Sequence, residues 1–440
     1  MNKTISHLDE GRSNSITLLT RMIEEEPDIE RAVLIEDIFG MFRVVLWCVK
    51  DCRADLQTRI DAEFFQAAGP FWSREIWIGP GKAKADQMIF DRAWNEGYEF
   101  APKLRLNERH RAKGGWIHAP IDPPWPIAEG EEQSPPIVSF YSFKGGIGRT
   151  TALAGFAIQQ ARAGQRVVVV DLDLDAPGVG ALLNPGEGVP GARWGAVDYI
   201  LEQPVLKKVD LRDYYHVYAR EDITGAGEIW VVPAGQIDEN YLGKIARIDL
   251  EPPSTGEEHP LQHLLRQIRE EAKPQWILLD LRAGLSEVAG FALGGLAHLN
   301  ILFGTTSEQS WQGLGLVIDR VGADRVRRNQ MQGECLIVQG MTPANPATAK
   351  LSEEQFEIRI RDEFTQRYYS RDPADPEEDR FWYIRDMESQ DAPHVPIHIR
   401  YSESLAFFTS LEDVADVLIQ SDDYKKLFQR ILSRFAEEEP

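Results

Sequence analysis

The segment that most constrains the fold is FYSFKGGIGRTT, Phe140–Thr151, which lies between a predicted strand and a predicted helix. Its glycines allow the backbone to turn so tightly that successive N–H groups point at one anion, and the following helix adds its positive N-terminal end. The hydroxyl of Thr150, directly after a basic residue, is suited to ligate a magnesium ion that bridges phosphates. The pattern predicts a phosphate-binding loop, and the alternative is a glycine turn that only joins strand to helix.

Apolar segments alternate with helical segments on the C-terminal side of this loop. Their side chains are almost all apolar, which is typical of parallel strands covered by helices on both faces. The fold class expected for residues 136–440 is therefore α/β, with a mostly parallel sheet. The segments predicted to be strands are Arg166–Val170, Trp276–Leu279, Leu299–Phe303, Leu336–Val338 and Val395–Ile399.

Residues 119–135, APIDPPWPIAEGEEQSP, are rich in proline and acidic residues and show neither helical nor alternating periodicity. Proline fixes φ and removes a backbone donor, so this segment is predicted to be an extended linker. Before it, Phe42–Val49 has the composition of a buried strand and Arg53–Ala68 has helical spacing. Residues 1–118 are accordingly predicted to be a small α/β module of unknown function, and residues 136–440 a larger domain.

The composition argues against several classes of protein. The 440 residues carry a formal net charge of −22, which does not suit a surface that wraps nucleic acid. No apolar stretch approaches the roughly 20 residues that span a bilayer, and no basic and then apolar N-terminal segment indicates secretion. Three scattered cysteines are too few for a disulfide framework. A soluble protein of a reducing cytoplasm is expected.

Two local segments raise the question of other partners. Lys103–Lys113, KLRLNERHRAK, followed by GGW, concentrates basic residues that could contact the phosphates of a nucleic acid, although a solvated loop is the ordinary alternative. Tyr424–Phe435 has an apolar stripe of the kind found in helices that lie on membranes, but packing against the sheet is the expected use. Nucleic-acid binding therefore stays open, and membrane attachment is not expected.

The loop departs from the ordinary P-loop pattern, G-x-x-x-x-G-K-[ST]. When the two are aligned on Gly148, Phe143 takes the place of the first glycine, Arg149 takes that of the lysine, and an extra Lys144 stands at the head. In these features the sequence resembles the deviant-Walker ATPases of the ParA and MinD type, and more narrowly their KGGVGR-variant branch, in which arginine replaces the second lysine. The resemblance covers roughly residues 135–435.

The resemblance implies roles for the residues of the loop. Lys144 would reach across a nucleotide-sandwich dimer to the phosphates of the partner subunit, and Thr150 would ligate magnesium. ATP and Mg²⁺ are thus the expected ligands, and an ATP-dependent homodimer is the expected assembly. The residues expected to bind the nucleotide are Lys144, Gly145, Gly146, Ile147, Gly148, Arg149, Thr150 and Thr151.

Two carboxylate motifs accompany the loop. VVVVDLDLDAP, Val167–Pro177, resembles the family's second motif, in which Asp171 would hold magnesium through water and Asp173 would orient the attacking water. Carboxylates at alternate positions beyond a strand end are easily aimed into one site, and a solvated acidic turn is the alternative. WILLDLRAGLSE, Trp276–Glu287, resembles the family's Walker B segment, in which Asp280 would face a magnesium-bound water ahead of a switch-like loop.

The function implied by the resemblance is an ATP-binding, slowly hydrolysing switch that controls its N-terminal module or partner proteins. A bacterial signalling or antiviral-defence system is the implied setting. A guanidinium grips oxygens bidentately whereas an ammonium is a point charge, so ATP binding follows more directly from Arg149 than fast hydrolysis does. The alternatives are a partition or positioning ATPase, a non-hydrolysing nucleotide-sensing scaffold, and an N-terminal effector enzyme controlled by the ATPase.

Overall fold

The computed structural model describes residues 5, 7–49, 53–79, 84–109, 115–117, 121–127, 134–186, 189–206, 208–218, 220–248, 250, 258–328, 330–371 and 382–436. The chain divides into two compact units, unit 1 (Met1–Ala112) and unit 2 (Lys113–Pro440). The division falls before residues 119–135, the segment for which a linker is predicted.

Unit 1 is an α/β module with a mixed sheet. Its strands in the described residues are β1 (Ile29–Glu36), β2 (Phe42–Cys48), β3 (Trp72–Gly79), β4 (Tyr98–Ala101) and β5 (Leu104–Glu108). Its helices there are α1 (Leu8–Glu25), α2 (Arg53–Ala68) and α3 (Lys84–Glu96). The strand order is β3-β2-β1-β5-β4, and the β1–β5 and β2–β3 pairs are parallel.

The alternation of side chains along β1 explains how unit 1 buries both faces of its sheet. Ala32 and Leu34 belong to an apolar cluster with residues of α1 and α2. Val33 and Ile35 belong to a second cluster, with residues of α3. Successive side chains of a strand point to opposite faces, so one apolar run supplies both helix layers with a packing surface.

Unit 2 alternates strands and helices along the chain. Its strands in the described residues are β6 (Ile137–Ser142), β7 (Arg166–Leu172), β8 (His216–Tyr218), β9 (Glu228–Val232), β10 (Trp276–Leu281), β11 (Leu299–Gly304), β12 (Cys335–Thr342) and β13 (Ile397–Arg400). Its helices there are α4 (Arg149–Arg162), α5 (Val179–Leu182), α6 (Ala196–Glu202), α7 (Glu221–Thr224), α8 (Tyr241–Ile245), α9 (Pro260–Ala272), α10 (Glu287–Leu293), α11 (Glu308–Val321), α12 (Ala323–Arg327), α13 (Pro346–Arg367), α14 (Glu403–Ala406), α15 (Ala415–Gln420) and α16 (Asp422–Ser433).

The strands of unit 2 form one sheet in the order β13-β12-β11-β6-β10-β7-β9-β8. Neighbouring strands are parallel except for the antiparallel β8–β9 pair at one edge. Phe140 faces one apolar cluster and Tyr141 faces the other, so both sides of the sheet are covered. This double burial accounts for the continuous apolar runs, and the predicted α/β fold with a mostly parallel sheet is confirmed.

The C-terminal amphipathic segment packs inside unit 2, as its sequence predicts. Leu427, Phe428 and Ile431 of α16 are buried, and the ring of Phe428 lies 5.7 Å from that of Phe156 in α4. In the part of the chain that the structure describes, no helix is both long enough and apolar enough to cross a membrane.

Part of the segment predicted to be a linker packs into the core of unit 2. Trp125 is buried in one of the two apolar clusters, and Trp116 and Ile121 pack against the same cluster. The Arg325 guanidinium donates to the backbone carbonyl of Ile121 at 2.9 Å. The described residues of this segment, 121–127 and 134–135, form neither helix nor strand. Side-chain contacts and a hydrogen bond from the Ile121 N–H to the Gly294 carbonyl, rather than a sheet ladder, hold residues 121–127 in place.

Candidate functional site

The glycine loop joins β6 to α4 at the carboxyl edge of the parallel sheet, the edge at which open α/β sheets bind ligands. Gly146 (φ 73°) and Gly148 (φ 92°) have left-handed backbone conformations, which glycine adopts without the steric cost that a Cβ imposes. A Cβ at Gly146 would meet no atom within 4 Å, so this part of the loop faces open space. Helix α4 begins at Arg149, directly after Gly148.

Two buried carboxylates lie side by side behind this loop. Asp171 and Asp280 stand opposite each other in the register of β7 and β10, and both are fully buried. Burial raises the pKa of Asp171 to about 7, and the charge of Asp280 adds to that shift. Burial also raises the pKa of Asp280 to about 6, against the opposing effect of the Arg149 guanidinium. Their charged forms are therefore costly in the folded protein.

Arg149 and Thr150 connect the loop to these carboxylates. Nη2 of Arg149 donates to Oδ2 of Asp173 at 2.9 Å, and its Nε forms an ion pair with Oδ1 of Asp280 at 2.8 Å. The Thr150 hydroxyl donates to Oδ2 of Asp280, also at 2.9 Å. Arg149 is only 9% exposed, so its charge is directed into the protein. The residue for which a phosphate contact is predicted has two carboxylates as its partners in this structure.

The turn after β7 is ordered by its own acidic residues. Oδ1 of Asp171 accepts the Asp173 N–H at 3.1 Å, and its Oδ2 accepts the Gly178 N–H at 3.2 Å. Oδ1 of Asp173 accepts the Ala176 N–H at 3.2 Å, which leaves its Oδ2 for the arginine. Both carboxylates are buried and bonded, so this segment is not the solvated acidic turn that was the alternative.

A cleft of about 400 Å³ opens in front of the loop. Predicted site residues that line it are Gly145, Gly146, Gly148, Arg149, Thr150, Thr151 and Asp173. Asp171 and Asp280 lie behind Thr150 and Arg149, and Ile147 is buried in the apolar core. Lys144 is exposed, and among the described residues it has no ion-pair or hydrogen-bond partner.

A second cavity, of about 270 Å³, shares Gly148 and Thr151 with the cleft. Gly146 and Ile147 of the loop also line it, and its remaining lining residues come from the C-terminal third of the chain and include Met341, Tyr401 and Tyr424. Sequence reasoning did not identify them, because they lie far from the loop along the chain and carry no motif. Only the order of strands in the sheet brings them to the loop.

The loop after β10 borders the same cleft through Arg282 and Ala283. Arg282 forms an ion pair with Asp175, two residues beyond Asp173. Tyr141, at the end of β6, donates its hydroxyl to the backbone carbonyl of Gly284 at 2.9 Å. The loop predicted to be switch-like is thus attached to both of the other motifs.

The oxygens at this edge fit a divalent cation bound together with a polyphosphate. Thr150 and Asp280 offer a hydroxyl and a carboxylate, the oxygen donors that magnesium prefers, and water or phosphate usually completes its shell. Asp173 and Asp280 share the guanidinium of Arg149, and the charge of Asp280 raises the pKa of the neighbouring Asp171, so added positive charge would offset the repulsion among these carboxylates. The described residues contain no group of three or more His, Cys, Asp or Glu that could hold a metal ion without such partners.

Residues 138–355 match the family model of the CobQ/CobB/MinD/ParA nucleotide binding domain. A curated relative, an uncharacterized ATP-binding protein of Methanocaldococcus jannaschii, is 29% identical over 121 residues. That match covers 28% of this chain and 39% of the relative, so the chain spans about two fifths of the relative's length. The domain match confirms the resemblance to the ParA and MinD type, while the deviant-Walker detail and membership of the KGGVGR branch stay predictions.

Three solved structures are similar to this chain at low sequence identity. A plasmid partition protein from Borrelia burgdorferi is 15% identical, with a TM-score of 0.41 over 69% of this chain and 98% of its own. The cell division ATPase MinD of Pyrococcus furiosus is 18% identical, with a TM-score of 0.41 over 68% of this chain and 100% of its own. A ParA family ATPase from Chlorobium tepidum is 15% identical, with a TM-score of 0.43 over 68% and 98%. The fold itself is established by the strand order of unit 2.

Proposed function

Residues 138–355 are, by this match, a nucleotide-binding domain of the CobQ/CobB/MinD/ParA family, and from that premise we propose that the chain is an ATP-dependent molecular switch. The switch binds ATP with magnesium at the glycine loop, self-associates in that state and hydrolyses ATP slowly. Its two states control unit 1 or partner proteins. The resemblance of the loop to the KGGVGR branch supports a bacterial signalling or antiviral-defence setting.

The proposal rests on one contact, in which Oγ1 of Thr150 lies 2.9 Å from Oδ2 of Asp280. This contact lies behind a glycine loop that faces an open cleft. The loop N–H groups and the N-terminus of α4 bind the phosphates. Thr150 and Asp280, with Asp171 beside them, would hold magnesium, which would supply positive charge to the phosphate oxygens. The nucleoside occupies the second cavity, which shares Gly148 with the cleft.

Lys144 supports the self-association part of the proposal. Its ammonium is exposed at the head of the loop and, within the described residues, is not engaged by any other group. The phosphate cradle is already supplied by the loop and by Arg149, so a second subunit's phosphates are a suitable partner for this charge. The closed state therefore contains two nucleotides between two copies of unit 2.

Sedimentation velocity tests this part directly. With magnesium and a non-hydrolysable ATP analogue, the wild type is expected to sediment as a dimer and Lys144→Ala as a monomer. Lys350→Ala, which removes an exposed charge from α13, is the matched control and should dimerise. Calorimetry on each variant establishes whether the analogue is bound. A Lys144→Ala protein that binds the analogue and dimerises as well as the control would refute the sandwich model.

A non-hydrolysing sensor is the second candidate, and the contacts of Arg149 favour it. The guanidinium is held by Asp173 and Asp280, the two carboxylates proposed for water and magnesium, so the catalytic groups are engaged with each other. Hydrolysis requires Asp173 to exchange that partner for water. A protein that binds ATP without making this exchange senses the nucleotide but does not hydrolyse it.

Phosphate release by wild type and Asp173→Ala separates the two candidates. A switch that hydrolyses ATP shows a slow wild-type rate, and the variant retains ATP binding but loses roughly 10²–10⁴-fold in rate. Ser142→Ala, at another residue that lines the cleft, is the control for disturbance of the cleft. A wild type without turnover in the presence of candidate partners leaves the sensor as the function. Equal rates for wild type and Asp173→Ala would remove the role assigned to that residue.

A further inference from the structure

Two residues near the start of unit 2 contact the far end of the loop that borders the cleft. Gly115 lies three positions after Ala112, the last residue of unit 1, and belongs to unit 2. We refer to Gly115–Trp116 as the strap, and to residues 282–287 as the cleft loop. The contacts between the strap and the cleft loop lie wholly within unit 2.

Two hydrogen bonds hold the strap to the end of the cleft loop. The Gly115 N–H donates to Oε2 of Glu287 at 2.6 Å, and the indole N–H of Trp116 donates to the Ser286 carbonyl at 2.7 Å. On its other side, the buried Arg320 of α11 donates to the Gly115 carbonyl at 3.2 Å. The strap is therefore fixed at its backbone and at its one large side chain.

The strap packs closely against the start of α10. A Cβ at Gly290 would lie 2.6 Å from the Trp116 ring, and a Cβ at Gly115 would lie 2.0 Å from the Glu287 carbonyl oxygen. Two glycines thus allow the indole and the strap backbone to lie directly on the start of α10. The ring of Trp116 also meets that of Tyr141 edge to face, at 6.3 Å. The close packing and the hydrogen bonds make this a specific contact.

The other end of the cleft loop lines the cleft that is proposed to bind nucleotide. Arg282 and Ala283 line the cleft, and Arg282 is paired with Asp175. Phosphate oxygens attract a guanidinium, so a bound triphosphate competes with Asp175 for Arg282. Arg282 belongs to the same loop that contacts the strap at its far end, through Ser286 and Glu287.

We propose that the strap is a mechanical coupling by which nucleotide in the cleft changes the attachment of unit 1. This inference rests on the proposed function, because it requires that the cleft bind nucleotide. Triphosphate draws Arg282 from Asp175, the cleft loop moves, and the hydrogen bonds of the strap loosen. Because coupling between two sites is reciprocal, weakening the strap must in turn favour the nucleotide-bound state.

Hydrogen exchange on the full-length protein tests the first half of this coupling. Magnesium with a non-hydrolysable ATP analogue is expected to slow exchange in the glycine loop and to speed exchange in peptides that cover Gly115 to Ile117. Protection of the loop with unchanged exchange in the strap peptides would overturn the inference while leaving the proposed function standing. If calorimetry shows that the wild type does not bind the analogue, the proposed function is overturned, and this inference with it.

Trp116→Phe tests the second half, because it keeps an aromatic ring but removes the indole donor. One hydrogen bond lost from the strap is expected to tighten binding of the analogue by about two- to tenfold, as measured by calorimetry. Trp125→Phe is the matched control, since its indole N–H also donates to a backbone carbonyl, that of Pro135, away from the cleft loop. Equal affinities of the two variants would contradict the coupling, as would weaker binding by Trp116→Phe.

Discussion

Arg149 contacts two carboxylates of this site, which is more than a single phosphate contact would require. Its planar guanidinium presents several donors in a fixed fork, so one side chain can hold both Asp173 and Asp280. All three groups are almost wholly buried. Removing one partner from such a cluster leaves charges that neither water nor a counter-ion compensates.

Arg149→Ala is therefore expected to destabilise unit 2 by about 3–5 kcal/mol, the range found when one side of a buried ion pair is deleted. Urea unfolding followed by tryptophan fluorescence measures the change. Arg327→Ala is the control, because Arg327 is 58% exposed and pairs with Asp319 at the surface, where the expected cost is at most about 1 kcal/mol. Similar small losses for both variants would mean that the buried cluster is not paired in solution.

Thr150 makes a second prediction at this scale. Thr150→Ala deletes a hydroxyl that is bonded to Asp280 and proposed to ligate magnesium, so Mg-ATP affinity should fall by at least about tenfold. Calorimetry with and without magnesium measures it, and the loss should be larger when magnesium is present. Thr365→Ala, at an exposed threonine of α13, is the control. An unchanged affinity in magnesium would show that the hydroxyl is not a ligand.

The sequence predicted which residues lie at this edge of the sheet better than it predicted the contacts between them. The positions of Thr150, Asp171 and Asp280 follow from motifs at strand ends, because parallel strands bring their carboxyl ends to one edge. The pairing of Arg149 with Asp173 does not follow, since it depends on where a long side chain turns inside the fold. Small cleft residues such as Ser142 give no signal at all in a single sequence.

At the scale of elements, His298 joins three segments of unit 2. Its Nδ1 accepts the Ile137 N–H at the start of β6 at 3.0 Å, and its Nε2 lies 2.7 Å from the carbonyl of Trp125, to which it donates. The residue itself stands directly before β11. Burial lowers the pKa of His298 to about 4, because the charged imidazolium is poorly solvated there.

Acid should therefore destabilise unit 2 through His298. An unfolded chain takes up a proton below its ordinary pKa of about 6.5, whereas the folded protein resists until about pH 4. Within that window the unfolded state binds more protons at this histidine, so the contribution of His298 to the free energy of unfolding falls as the pH falls, by up to about 3 kcal/mol. The raised pKa values of Asp171 and Asp280 act in the opposite direction over the same range, so the His298 contribution is measured as the difference between the wild type and a variant that lacks the imidazole. Urea unfolding of both proteins at a series of pH values measures it.

His298→Gln should remove the His298 contribution, since glutamine does not titrate, so the free energy of unfolding of the wild type should fall relative to that of the variant between pH 6.5 and 4. His263→Gln, at a half-buried histidine of α9, serves as the comparison. Identical slopes for the wild type and His298→Gln would show that this imidazole is not the group that titrates.

The elements themselves were predictable to different degrees. The central strands β6, β7, β10 and β11 are buried on both faces and therefore appear in the sequence as continuous apolar runs. Strand β8 is a three-residue antiparallel edge strand, too short to show a period, and it was not predicted. Residues 119–135 were predicted to be an extended linker on the basis of proline, yet Trp125 packs into the core, because an extended segment can still bury an aromatic side chain.

For the whole molecule, the dominant property is its formal net charge of −22. Two such chains repel each other, so nucleotide-driven self-association must overcome an electrostatic cost that salt screens. Raising the ionic strength from about 0.02 to about 0.2 M shortens the screening length from roughly 20 to roughly 7 Å and is expected to strengthen the dimer. Sedimentation with the ATP analogue across this range measures the effect.

The sign of this salt dependence also separates the proposed switch from a nucleic-acid partner. Protein–nucleic acid binding weakens with salt, because counterions are released from the phosphates. Association that strengthens with salt agrees with contact between two acidic copies. If nucleotide-driven association instead weakens steeply with salt and requires added DNA, a partition ATPase is favoured over the switch.

The packing of Trp116, Ile121 and Trp125 in unit 2 determines at which residue a stable fragment of this chain can begin. A fragment that begins at Pro136 contains every motif of the nucleotide site, yet it would bare the apolar surface that these three side chains cover. We expect that fragment to aggregate, and one that begins at Lys113 to remain monodisperse by light scattering. Unit 2 thus includes some 20 residues on the N-terminal side of its motifs, and these residues determine whether it can be purified alone.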